Sequence, residues 1–297
     1  MDVRITVHLE GLADFGAAYP QQLPPFEVGP FSVVARPVEG EPSWLNSRAW
    51  YLARCVLSHD SKFLNPPSTY AAVDALITCF RLFKPGYIGA NPFYMEPRAE
   101  GGWGRPVLPE GRSALSQSGG RAYPLSADEA PRLADFAKAV YPTVLSGLTG
   151  SASPVFQFFN RGIDDEARNE PSLAVVDFVS CMEAQLISTN AEVSHRFSEL
   201  VSIVTERDRG KRRDRYRLCK DIYDKRSAVI HGNAVGEPQA LASQAEGLAR
   251  YVVRFALGYS AKGKGKKELV EDAAAVLFAE RADFPEFAFD NVQGLAT

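Results

Sequence analysis

The sequence predicts an α+β protein, mostly α-helical, in which a small N-terminal part with strands precedes a C-terminal helical bundle. Three observations carry this. Residues 3 to 9 alternate Val, Ile, Val and Leu with polar residues, the period of a half-buried strand. From Ser126 onward, apolar residues recur at spacings of three and four behind successive helix-start signals. Between the two, Lys84 to Ala122 is rich in Gly, Pro, Ser and Asn with scattered aromatics, too broken for a helical core segment. The 297 residues suffice for one large domain or two ordinary ones. The expected division is 1–125 as an α+β region of unassigned role, 126–262 as the bundle and 263–297 as a helical extension.

In chain order, Phe26 to Val38 offers Phe-Ser-Val-Val-Ala between prolines and reads as a second strand. Trp44 to Leu57 and Tyr70 to Phe83 show three-and-four spacing and read as helices. Ser126-Ala-Asp-Glu129 is a capping box with Pro131 just inside; it opens a helix through Leu133, Phe136, Val140 and Val144. Ser153-Pro154 opens the next, Pro171 to Ser188 is another, and Thr189-Asn-Ala-Glu192 reads as a capping box for a helix running to about Thr205. A fifth is expected from about Gly210 to His231, with Gly232 as its left-handed stop. Pro238 opens a sixth, and the lysine-rich Lys262 to Lys267 reads as a mobile linker before a last amphipathic piece near Val270 to Phe278.

A hydrophobic content of 45% with 23% charged residues describes a globular chain with enough apolar side chains for a full core. The formal charge of −3 means that nucleic-acid binding would need a local basic patch. Cys55, Cys79, Cys181 and Cys219 are widely spaced and match no zinc pattern, which points to a reducing cytoplasm. The N-terminus has no apolar signal core and no apolar run reaches membrane-spanning length, so neither secretion nor a membrane span is expected. No Walker loop, dinucleotide-binding glycine motif or nucleophile elbow is present. Gly150-Ser151 followed by Asp164-Asp165 has the wrong spacing for a nucleotidyltransferase magnesium site, and the scattered histidines suggest no metal centre.

The chemistry concentrates at Asp221 to Asn233, where Arg226 and His231 flank four residues near the end of a predicted helix. A histidine near its ordinary pKa of about 6.5 can exchange a proton at neutral pH, and a guanidinium can hold a phosphate by two parallel hydrogen bonds. On a 100° wheel, Leu173, Val176, Val179, Leu186 and Ile187 share an arc with Glu183, and Cys219, Ile222, Val229 and Ile230 share one centred on Arg226. Two opposite charges in two apolar stripes are expected to pair, since an unpaired buried charge costs several kcal/mol. The same pairing admits a purely structural reading, a salt bridge between helices with His231 as a helix cap. From Glu206 to Arg226, ten basic residues stand against five acidic ones. Arg212, Arg213, Arg217, Lys220 and Lys225 are the candidate phosphate contacts on this run, whose bland reading is a solvated helix face. Tyr216 and Tyr223 could stack a base or pack in the core.

Tyr223, Arg226, Ser227, His231 and Gly232 resemble the Tyr-x-x-Arg-Ser-x-x-x-His-Gly pattern of HEPN domains, in particular the Apea-like HEPN group of bacterial antiphage and abortive-infection proteins. The resemblance extends over the helical half, with Leu173 to Ile187 similar to that group's helix with a central Glu. It implies a metal-independent endoribonuclease without cofactor, with Arg226 and His231 catalytic and Glu183, Ser227, Tyr223 and Asn233 supporting. It also implies a homodimer with a composite active site, RNA as substrate (tRNA among the candidates) and a partner protein of a defence system. Many active members carry Asn, Asp or His where this chain has Ser227. A non-catalytic HEPN module for dimerisation or docking is the alternative.

Overall fold

In the computed structural model the described residues are 2–12, 23–35, 51–58, 67–107, 123–150, 152–188 and 191–276. They fall into two units, residues 1–149 and 150–297. The first is built around strand β1 (Asp2–Glu10), whose Val3, Ile5, Val7 and Leu9 are buried on one face as the alternation demands. The expected second strand is a hairpin, β2 (Phe26–Val28) and β3 (Phe31–Ala35), turning at Gly29 with φ +58°. Strands β4 (Tyr51–Ser58), β5 (Gly89–Ala99) and β6 (Gly102–Trp103) complete an antiparallel sheet of order β2-β3-β4-β1-β5-β6.

Strand β4 corrects the helix expected over Trp44 to Leu57; residues 44–50 lie outside the described residues. Tyr51 to Ser58 pairs in register with β1, from Leu9↔Tyr51 to Asp2↔Ser58, and with β3 on its other side. Inside the sheet, Tyr51, Leu52 and Ala53 are buried on both faces, so the strand loses its alternation and imitates helical spacing. Helix α1 (Pro67–Phe83) stands where expected, and α2 (Glu129–Thr149) begins at its capping box. Glu129 N–H donates to Ser126 Oγ at 3.2 Å while Ser126 N–H donates to Glu129 Oε2 at 3.0 Å.

Helix α2 belongs with the sheet. Its apolar face (Leu133, Phe136, Val140, Tyr141, Val144) packs on α1 and β2, and Lys84, just past α1, binds the Glu129 carboxylate at 2.7 Å. Packing therefore divides the chain at 149/150, whereas the sequence, read by helix content, suggested 125/126.

The second unit comprises α3 (Ser153–Ala167), α4 (Pro171–Leu186), α5 (Val193–Thr205), α6 (Arg212–Ile230), α7 (Pro238–Ala261) and α8 (Lys266–Val276). Helix α4 lies in its core, packed against α3, α6 and α7, with Ala174, Val175, Phe178, Cys181 and Met182 fully buried. At Gly162 the α3 backbone meets the Phe178 ring so closely that a Cβ would lie 2.6 Å from it. The expected capping box before α5 is not formed as such: Glu192 itself occupies the cap position at φ 53° without a side-chain cap bond, and Thr189 lies outside the described residues. The lysine-rich segment is not a free linker throughout. Lys266 and Lys267 open α8, and Lys266 Nζ donates to the carbonyls of Ala184 and Ile187 at 2.8 Å each, closing the C-terminus of α4. Burial holds the Lys266 ammonium below its ordinary pKa. Among the described residues no helix is long and apolar enough to cross a membrane.

Candidate functional site

Helix α6 buries little. Cys219 and Ile222 face the core, and the rest of the helix is half-exposed or exposed, which follows from its charge-rich sequence. It stops in a Schellman motif: Gly232, at φ +80°, donates its N–H to Val229 O at 2.9 Å, and Asn233 N–H donates to Ala228 O at 2.9 Å. His231 is the last residue before this reversal, with φ −85° and its N–H on Ser227 O at 3.1 Å. The motif leaves the imidazole exposed at the helix end, beside exposed Asn233 and half-buried Ser227.

One and a half turns earlier, the expected ion pair exists. Arg226 Nη2 donates to Glu183 Oε2 at 3.1 Å, and Tyr223 Oη donates to the other oxygen, Oε1, at 3.0 Å. The guanidinium also sits over the Tyr223 ring at 5.6 Å, and that ring packs on Phe197 at 5.1 Å. Arg226 is thus gripped by a carboxylate and an aromatic face that also grip each other. Burial, and secondarily the Glu183 charge, raise the Tyr223 pKa, so the phenol stays a donor.

The depth of the pair differs from expectation. Glu183 and Arg226 side chains are 20% and 21% exposed, at the rim of the α4–α6 contact, and Leu173 and Ile230, placed in the core stripes by the wheel, are 50% and 51% exposed. Helix α4 is apolar on more than one side, so a wheel offers two arcs, and tertiary packing chose the one through Ala174, Val175 and Phe178. The Nε of Arg226 is nevertheless buried and makes no hydrogen bond. Arg226 and His231 are not brought together within the chain. Five residues along a helix separate them by about 140° of rotation and roughly 7.5 Å of rise, and no hydrogen bond joins them.

The basic residues separate by role. Arg212 turns back to donate to Glu206 O at 2.9 Å and Arg207 O at 3.4 Å beyond the end of α5; burial, then Arg209, holds its pKa below the ordinary value. Lys225 pairs with Asp221 at 2.7 Å, Arg217 with Asp214 at 3.3 Å and Lys220 with Asp224 at 3.2 Å, all exposed helix pairs of small energetic weight. Arg213 is exposed and forms no ion pair among the described residues.

The sequence reading missed the buried charges between α3, α4 and α7. Asp177, in the middle of the apolar α4, is 3% exposed and accepts a bidentate pair from Arg161, with the Asp165 carboxyl beside it. Asp165 is also held by Arg168 at 3.2 Å; burial first and the Asp177 charge second push its pKa up to about 6. Glu246 and Arg250 form a buried pair on α7, with the guanidinium over Phe159. The available signal was a charge inside an apolar run, Val-Val-Asp-Phe-Val and Arg-Tyr-Val-Val-Arg-Phe. No protein-family model, curated protein or solved structure matches the chain.

Proposed function

We propose that the protein is a metal-independent endoribonuclease of the HEPN type that acts as a toxic effector in prokaryotic antiphage defence. The observation that supports this best is the Glu183–Tyr223–Arg226 clamp, which holds a guanidinium at a partly open rim one and a half turns from an exposed histidine. A side chain held on two sides presents its remaining N–H groups in a fixed direction, which is what stabilising a developing phosphate charge requires. His231 would take the proton from an RNA 2′-hydroxyl as its oxygen attacks the adjacent phosphorus, or return a proton to the departing 5′ oxygen. Arg226 would stabilise the extra negative charge on the phosphoryl oxygens. The products are a 2′,3′-cyclic phosphate and a 5′-hydroxyl.

Because Arg226 and His231 diverge by about 140° on one helix, the reading includes a homodimer, in which the histidine of one copy serves the arginine of the other across a two-fold axis. The second reading is a docking module whose Arg226 is structural, held as it is by Glu183 and Tyr223. The deciding experiment is RNA integrity on expression, wild type beside His231→Ala. The expected result is cleavage in the wild type, undiminished by excess EDTA, and none in a folded mutant with an unchanged melting temperature. Full cleavage by the mutant would remove His231 from the chemistry.

A further inference from the structure

We propose that His195 and Tyr216 form a base-stacking subsite for single-stranded RNA, on the same side of α6 as His231; this rests on the endoribonuclease reading. At 100° per residue, Arg213, Tyr216, Arg217, Lys220, Ser227 and His231 fall within an arc of about 100°, together with Asp224, which pairs with Lys220. One side of the helix thus carries cations at its start, an aromatic among them and the candidate acid/base at its end. Tyr216 lies about 22 Å from His231 at 1.5 Å per residue, roughly six stacked nucleotides at 3.4 Å each.

At Tyr216 the track meets α5. His195 Nδ1 lies 2.9 Å from Tyr216 Oη, and the two rings stand edge to face with centroids 5.8 Å apart. An exposed histidine ordinarily samples several rotamers; this one is restrained by its contact with Tyr216, which lowers the ordering cost when a base stacks on its ring. Its Nε2 makes no hydrogen bond among the described residues and is open to a base edge or a phosphate. Arg196 and Arg213 flank the pair in sequence on α5 and α6, both exposed and free of ion pairs among the described residues, whereas cations nearer the helix centre are neutralised by Asp214 and Asp224. Unneutralised cations beside a fixed ring favour a nucleobase with its phosphate over an uncharged partner.

The test is binding of a fluorescent 2′-O-methyl decamer, which cannot be cut, followed by anisotropy. His195→Ala and Tyr216→Ala are expected to weaken decamer binding by about five- to a hundred-fold, while His195→Phe, which keeps a ring, retains most of the affinity. Unchanged decamer affinity in His195→Ala, an exposed substitution that spares the core, overturns the subsite. Failure of the wild type to bind any RNA overturns both subsite and nuclease. Tight binding without cleavage of an unmodified decamer sinks the nuclease reading alone, and cleavage with unaltered variant affinities sinks the subsite alone.

Discussion

Replacing Asp165 by Asn should stabilise the protein above pH 6 and do little near pH 4. Asp165 is buried against Asp177, and its folded pKa of about 6 exceeds the ordinary carboxyl value of 3.8. A group whose folded pKa is raised contributes its stability fully below the unfolded pKa and loses it as pH rises through the folded one. Between about pH 4 and 6 the native state therefore holds a proton that the unfolded chain has released, and stability falls with pH across that window. A shift of about two units corresponds to roughly 3 kcal/mol at 1.36 kcal/mol per unit. The proton belongs to the Asp165–Asp177 pair jointly, and the Arg168 contact, about a third exposed, weakens in the variant, so about 1 to 3 kcal/mol is the expected gain at pH 8. Asn keeps the geometry, since its amide donates to Asp177 and its carbonyl accepts from Arg168. Urea denaturation of both proteins from pH 4 to 8 measures the difference. A stability difference that is constant across that range would show that the two carboxylates do not share a proton.

Arg226→Ala should leave Glu183 partly buried and paired only with Tyr223, costing about 1 to 3 kcal/mol, with RNA cleavage lost. Arg226→Met combined with Glu183→Leu should recover much of the melting temperature and none of the activity; recovered cleavage would leave Arg226 without a catalytic role. Gly162→Ala drives a Cβ to 2.6 Å from the Phe178 ring, and overpacking of that kind is expected to lower stability by about 1 to 3 kcal/mol in a thermal melt. Lys266→Met removes the ammonium from the Ala184 and Ile187 carbonyls, so amide exchange at the end of α4 should quicken and stability fall by about 1 kcal/mol. Exchange at the wild-type rate would mean that water caps those carbonyls as well as the lysine does.

The sequence by itself determined the fold class, because alternation in Val3 to Leu9 and helical spacing behind the Ser126 capping box and helix-opening prolines are local signals that burial then rewards. The stop of α6 at Gly232, the start of α2 at its capping box and the pairing of Arg226 with Glu183 were all legible in this way. The tertiary structure decided the matters that depend on which of two apolar faces a neighbour covers. It made Tyr51 to Ser58 a central strand, because Tyr51 to Ala53, buried on both faces, carry no period of their own. It joined α2 to the sheet by covering its apolar stripe with α1 and β2. It turned α4 so that Asp177 lies in the core and Glu183 at the rim, with Phe178 packed against the α3 backbone at Gly162. It also set His195 against Tyr216 across two helices, a contact between side chains twenty-one positions apart that no local pattern encodes.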